Sequence, residues 1–389
     1  MEKKHFETNA IRTQVARSDQ HEHSVPLYLS SSFVFDNAEA LKAAFDEETD
    51  DYIYSRYSNP NVDEFVEKVC QMEGAEDGIA CASGMAAIFS SLMPLLESGD
   101  HLLSCSSIFG ASHTLFNKYF KRYGIRCSFF KANAIDEIEN LITDKTRIIY
   151  LETPTNPGIE VIDLEKIASI AKRRNLLLVV DNCFATPWLQ QPIRWGADLV
   201  IHSATKYMDG QGRVLGGVVV GKKDLIREIY LFARITGPSL SAFNAWILSK
   251  SLETLSLRME KHCQNALSLA TALETHPSLE NVLYPGLPSH PQHAIAMRQM
   301  RAGGGIVAFH IKGGEGAARR FMNSLKMICI SPNLGDSRTI ATHPASSTHS
   351  KLSPEERLAT GIGDGLIRIS VGLENVEDIL QDILQALEA

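Results

Sequence analysis

Long apolar runs are missing from this 389-residue chain. Its most apolar stretches, such as 176–180, fall far short of the ~20 residues a helix needs to cross a bilayer, which excludes a helical membrane protein. A basic excess is missing too. With 38 Lys and Arg against 46 Asp and Glu, the net charge is −8, the wrong sign for a protein built to grip nucleic acid. No C-x-x-C pair occurs among the seven cysteines. An odd, scattered set suits reduced thiols in cytoplasm better than a disulfide framework or a zinc site. The N-terminal twenty residues lack the apolar core of a signal peptide, so a cytoplasmic location is expected.

Phosphate loops of the P-loop type, G-x-S-x-G, H-E-x-x-H and EF-hand patterns are also absent. The Gly-rich run 209–217 is no dinucleotide fingerprint, because it leads into a strand-like segment and not into a helix. His21/His23 and His343/His349 lack metal-ligand spacing, so no metal is expected. There is no internal repeat and no low-complexity tract.

What is present is an ordinary globular composition, 44% hydrophobic and 22% charged, long enough for two or three domains. Residues 1–60 carry no sustained periodicity and read as an arm with one short helical piece at 38–45. A helix follows, with Val62, Phe65, Val66, Val69 and Met72 on one face, capped by Asn61 or Asp63 and ended by Gly74. Strand-like runs at 78–82, 101–104, 147–152, 176–181, 198–202 and 216–221 then alternate with helical patterns at 85–96, 111–123 and 164–174. Near-continuous apolar strands alternating with helices predict a mainly parallel sheet covered on both faces, with ligands beyond the strands' carboxyl ends. After about residue 240 a long helical segment (245–274) gives way to strands at 306–311, 327–331 and 366–371 and helices at 316–324 and 376–387, the pattern of a smaller α+β domain. The Pro/Gly-rich stretch 284–291 is a loop inside it.

Three strand ends carry candidate chemistry. Asp181 closes a run of Leu and Val, where a carboxylate is costly unless a cation or donors meet it; a loop hydrogen bond explains it as well. Lys206 follows the strand at 198–202, with Ser203 and Thr205 before it. It reads as an amine nucleophile, if burial near positive charge favours its neutral form, or as a surface lysine. Ser83-Gly84-Met85 joins a strand to a helix, the place for an anion site or an ordinary cap. An aldimine-forming lysine, an acidic partner for a ring nitrogen and a phosphate cradle are together what pyridoxal phosphate requires. Arg368, flanked by Ile367 and Ile369, is either the fork for an amino acid's carboxylate or a solvent-facing side chain.

At these residues the chain resembles the Cys/Met-metabolism family of pyridoxal-phosphate enzymes. The likeness runs through Tyr54-Ser55-Arg56, Asn59-Pro60, Ser83-Gly84-Met85-Ala86-Ala87 and Glu152-Thr153-Pro154-Thr155-Asn156-Pro157. It continues through Val180-Asp181-Asn182, His202-Ser203-Ala204-Thr205-Lys206-Tyr207, His343-Pro344-Ala345-Ser346 and Arg368-Ile369-Ser370-Val371-Gly372. The resemblance implies an α/β, aspartate-aminotransferase-like (fold type I) architecture: a seven-stranded, mainly parallel sheet with helices on both faces, plus a smaller C-terminal α+β domain. It divides the chain into an arm (1–60), a cofactor domain (61–250) and a C-terminal domain (251–389). Lys206 would bind the cofactor covalently, Asp181 would face its ring nitrogen, and Ser83, Gly84, Met85, Ser203 and Thr205 would hold its phosphate. Arg368, Asn156 and Asn333 would contact an amino-acid substrate or the cofactor's reacting side; Asn333 stands where the family has Ser. Tyr54 and Arg56 would reach the phosphate of a neighbouring subunit, within a homotetramer of shared sites.

Phe109 occupies the place of a ring-stacking Tyr, and so can stack but supplies no phenol. It resembles, with Asp209-Gly210-Gln211-Gly212-Arg213 and the segment 236–244, the branch that replaces the acyloxy group of O-succinylhomoserine by sulfide. An O-acetyl-specific sulfhydrylase, cystathionine γ-synthase and cystathionine or methionine γ-lyase remain alternatives. Arg213, or another nearby cation, is the candidate for reading a succinyl carboxylate.

Overall fold

The computed structural model describes residues 4–347, 350, 357 and 361–389. The first long helix, Pro60–Glu73, shows how local sequence sets the framework. Its cap is Asn59, whose side-chain oxygen accepts the Asn61 N–H at 3.0 Å, and Pro60 fills the first turn, where its missing N–H costs nothing. The expected cap at Asn61 or Asp63 is thus two to four residues late. Gly74 ends the helix at φ 77°, a left-handed position that glycine adopts without strain.

Seven strands form the larger sheet: β1 (Asp77–Cys81), β2 (His101–Cys105), β3 (Arg126–Phe130), β4 (Thr146–Glu152), β5 (Leu177–Asp181), β6 (Leu199–His202) and β7 (Gly217–Gly221). Their order is β1-β7-β6-β5-β4-β2-β3. All pairings are parallel except those of β7, which runs antiparallel to β1 and β6. Successive residues of β2, β6 and β7 are all buried, so both faces of the sheet are covered. Helices Pro60–Glu73 and Lys223–Thr236 pack on β1, Gly84–Leu92 on β6 and β7, and Leu164–Arg174 on β5.

A second, five-stranded sheet follows in sequence: β8 (Leu279–Leu283), β9 (Ile306–Ile311), β10 (Cys329–Ile330), β11 (Ile340–Thr342) and β12 (Leu366–Ser370), ordered β10-β11-β12-β9-β8. It has its own apolar cluster, in which Phe309, Phe321, Ile367 and Ile379 pack with the long helix Leu255–Leu273. The single helix expected at 245–274 is two, Ala242–Leu252 and Leu255–Leu273, parted at Glu253–Thr254. The arm carries the expected helix Ala38–Phe45 and a further one, Phe6–Arg12. The sequence reading also passes over helix Lys223–Thr236 and strands β3, β8 and β11. No described helix is long and apolar enough to cross a membrane. All seven cysteines are free thiols.

Candidate active site

Because β4, β5 and β6 run parallel, their carboxyl ends deliver Glu152, Asp181 and His202 to one edge of the sheet. A cavity of about 240 Å³ opens there. Its walls include Ser83, Gly84, Met85, Phe109, Asn156, Asp181, Ser203, Thr205, Lys206 and Arg368, ten of the residues singled out from sequence. Residues separated by nearly 300 positions meet because β12 of the second sheet presents Arg368 across the cavity from the ends of β5 and β6.

The loop after β1 turns straight into helix Gly84–Leu92, with Ser83 as its cap, the hydroxyl accepting the Ala86 N–H at 3.2 Å. The helix amino end carries a partial positive charge and backbone donors, a cradle for an anion. A Cβ on Gly84 would lie 2.6 Å from the Ser203 Cβ, so only glycine lets this loop close onto the β6–Lys206 loop. Thr205 braces that loop from the other side, its hydroxyl accepting the Gly216 N–H at 3.1 Å.

Asp181 is 6% exposed. Its Oδ1 accepts the Cys183 N–H at 3.1 Å and its Oδ2 the Tyr150 hydroxyl at 3.3 Å. Burial outweighs these donors and pushes the carboxyl up to about 6. A ring nitrogen able to carry a proton is the kind of partner this carboxylate calls for.

Lys206 donates from Nζ to the Asn333 Oδ1 at 2.6 Å. Burial, with the Arg368 charge adding to it, lowers its pKa and so favours the neutral, nucleophilic amine. Arg368 is 1% exposed and rests on neutral groups: Asn156 Oδ1 at 2.9 Å, the Asn333 carbonyl at 3.1 Å, Thr342 Oγ1 at 3.3 Å and the Pro332 carbonyl at 3.4 Å. Its buried Nε has no partner, and among the described residues no carboxylate forms an ion pair with it. Desolvation brings its pKa down to about 10. A buried guanidinium held in place by carbonyls and amides keeps its charge for a ligand.

These residues fit pyridoxal phosphate. Lys206 would bond its aldehyde, Asp181 would receive its ring N–H, and the amino end of Gly84–Leu92 with Ser203 would hold its phosphate.

Tyr54, Arg56 and Arg213 lie elsewhere in the protomer, and Asn333 stands at the margin of the cavity. Arg56 lines a different cavity of about 440 Å³, where it sits 4.9 Å from the Tyr57 ring centroid and donates to the Arg234 carbonyl, and Tyr54 packs edge-on against Tyr57. Asn333 meets Lys206 and Arg368, but its neighbours Pro332 and Leu334 form the cavity wall. Arg213 does not line the cavity at all. Its Nε donates to the fully buried Asp209 Oδ1 at 2.9 Å, so its charge is cancelled four residues away. The structure therefore does not bring Arg213 to the cavity where a succinyl carboxylate would lie. His343 is held by Ser346 and the Asp364 carbonyl, and His349 lies outside the described residues. Among the described residues no group of three His, Cys, Asp or Glu could hold a metal.

Sequence reasoning passed over Glu152, Cys183, Phe184 and Leu215, all on the cavity wall. For Glu152 a signal existed: it ends a buried strand in the same way as Asp181.

The comparisons with known proteins agree with this geometry. The model of the family described as "Cys/Met metabolism PLP-dependent enzyme" matches residues 7–388. An O-succinylhomoserine sulfhydrylase of Pseudomonas aeruginosa is 47% identical over 384 residues, covering 99% of this chain and 95% of that one. An L-methionine gamma-lyase of Porphyromonas gingivalis is 42% identical over 369 residues, covering 94% and 92%. A crystal structure of a putative O-acetylhomoserine (thiol)-lyase from Campylobacter jejuni, containing N'-pyridoxyl-lysine-5'-monophosphate, superposes with a TM-score of 0.96 at 36% identity, covering 99% of this chain and all of that one.

Proposed function

The chain belongs to the Cys/Met metabolism family of PLP-dependent enzymes, and on that premise we propose that it makes homocysteine from O-succinylhomoserine and sulfide, a γ-replacement of methionine biosynthesis. The observation that carries this reading is the meeting of Lys206, Asp181 and Arg368 in one cavity beside a phenol-free stacking residue, Phe109.

When bound, pyridoxal phosphate supplies an electrophilic aldehyde and a ring that accepts electrons from the substrate's α-carbon. Arg368 binds the substrate α-carboxylate with its guanidinium fork and so fixes which bond at Cα faces Lys206. Lys206 Nζ removes the Cα proton and then a Cβ proton, and the electrons of the broken Cβ–H bond form the Cβ=Cγ bond as the Cγ–O bond breaks and succinate leaves. Sulfide then adds at Cγ, forming the Cγ–S bond as the Cβ=Cγ bond is lost, and Lys206 returns one proton to Cβ and one to Cα. Asp181, held by Cys183 and Tyr150, keeps the ring nitrogen protonated. Asn333 holds the lysine amine whenever it is free of the cofactor.

Phe109 weighs against the lyase reading, despite the identity to methionine gamma-lyase, because it offers no hydroxyl to share proton transfer. We place the enzyme in the cytoplasm and assign residues 1–60 to an arm, 61–250 to the cofactor domain and 251–389 to the C-terminal domain. We propose a homotetramer in which Tyr54 and Arg56 serve the neighbour's phosphate. Support comes from the apolar surface of one chain: Val34 is 99% and Ile235 83% exposed, which a second copy would cover.

The test is a product assay offering succinyl- and acetyl-homoserine against sulfide and cysteine. Homocysteine from the succinyl ester and sulfide is expected. Cystathionine as the main product, or a keto acid and thiol from methionine with no replacement, refutes the proposal.

A further inference from the structure

Two carboxylates, not one, close the strands under the cofactor site. Glu152 ends β4 and is in register with Asp181 at the end of β5, so both side chains leave the same face of the sheet. Glu152 is 2% exposed and lines the cavity. Its Oε2 accepts the backbone N–H of Phe109 at 2.8 Å. That contact reaches from β4 across to the loop after β2 and fixes the backbone of the residue whose ring would cover the cofactor.

Among the described residues neither carboxyl forms an ion pair. The charged and titratable groups around Glu152 are Tyr150 on its own strand, Cys105 at the end of β2, Cys183 just after β5, Asp181 on β5 and Arg368 on β12; Asp181 is faced in addition by His202 at the end of β6. Arg368 spreads its nitrogens over Asn156, Thr342 and two carbonyls and sends none to either acid. Two neighbouring buried carboxyls without a matched cation do not both ionise. Which one keeps its proton is decided by donors. Asp181 receives two, from Cys183 and Tyr150, whereas Glu152 receives one. Hydrogen bonds donated to a carboxylate favour its charged form, so the negative charge settles on Asp181.

We propose that Glu152 is a positioning residue of the cofactor site, a neutral carboxylic acid that clamps the Phe109 amide, and with it the stacking ring, while ceding the site's negative charge to Asp181. In this arrangement the ring nitrogen meets a single, unambiguous anion. Were Glu152 ionised, a second negative charge would lie beside the carbon chain on which carbanion character must develop. Burial and the Asp181 charge both act in the proposed direction, raising the Glu152 pKa.

The inference rests on the cofactor site and not on the substrate proposed above, so its test uses no turnover. Infrared difference spectra of wild type against Glu152→Gln at neutral pH should show a buried carboxylic-acid C=O band that shifts in D₂O and is lost in the variant. Cofactor titration, followed by visible circular dichroism, should rank Glu152→Gln above Glu152→Ala. The Gln carbonyl can still accept the Phe109 N–H, while Ala leaves that buried donor orphaned and should bind on the order of tenfold more weakly. Absence of the acid band, or a Gln variant that holds the cofactor no better than Ala, overturns the proposal. If the Ala variant does not fold, the infrared comparison decides alone.

Discussion

The role proposed for Asp181 toward the cofactor comes at the expense of the cofactor-free fold, and Asp181→Asn should separate the two. Without a bound ring nitrogen no cation among the described residues forms an ion pair with the carboxyl, and burial, outweighing its hydrogen bonds and the nearby His202, moves its pKa from the ordinary 3.8 up to about 6. The folded protein therefore holds this proton more tightly than the unfolded chain. The stability it contributes is full below pH 3.8 and is lost as pH rises through 6. A shift of about two pH units, at 1.36 kcal/mol each, comes to about 3 kcal/mol. Asparagine never pays this penalty. Its Oδ1 can keep the Cys183 N–H, and its Nδ2 can donate to the Tyr150 oxygen. The assay is thermal unfolding of cofactor-stripped wild type and Asp181→Asn between pH 4 and 8. The variant's advantage should grow between pH 4 and 6, level off above 6 and reach several degrees. Adding pyridoxal phosphate should reverse the ranking, because only the aspartate gains an ionic partner. Parallel pH profiles for the two apoproteins would refute the reasoning.

Arg368→Lys should lower kcat/KM on the order of a hundredfold, mainly through KM, because an ammonium cannot reproduce the two-nitrogen fork. Steady-state kinetics with the preferred ester, alongside binding of a carboxylate analogue, checks this, and a loss under threefold would remove Arg368 from substrate binding. Gly84→Ala places a Cβ 2.6 Å from Ser203 and 2.8 Å from its hydroxyl oxygen. It should weaken the cofactor at least tenfold in a fluorescence titration, and unchanged affinity would show that the two loops can part freely.

The fold was legible wherever strands are buried on both faces. Candidate runs match β2 and β4–β7 to within a residue, because runs rich in Val, Ile and Leu mark strands hidden from water on both sides, and β1, a half-buried edge strand, was matched to within a residue as well. The strands passed over have the opposite character. β3 and β8 lie at sheet edges, with Arg126 and Glu280 facing outward, so half of each segment is polar for good reason. β11 has only three residues and is held between β10 and β12. Helix Lys223–Thr236 was hidden by its Lys, Asp, Glu and Arg content, although Ile226, Ile229 and Ala233 form its buried stripe.

The site was legible for a different reason: its residues sit at strand ends, where a polar side chain after an apolar run needs an explanation. That logic located Asp181 and Lys206, and applied evenly it would have located Glu152. It could not rank one arginine against another, because partners are a matter of three dimensions. Arg213 and Arg368 both looked available in sequence. Arg213 is matched to Asp209, a carboxylate four residues earlier on the same loop, and its field is cancelled where it arises. Arg368 is more deeply buried, yet its hydrogen bonds end on carbonyls, an amide and a hydroxyl, none of which can neutralise it. Desolvating an unmatched charge is expensive for the fold, and the expense is recovered only when an anion arrives. The buried cation without a counter-charge, and not the exposed one beside a glycine-rich turn, is thus the one we propose for a substrate carboxylate.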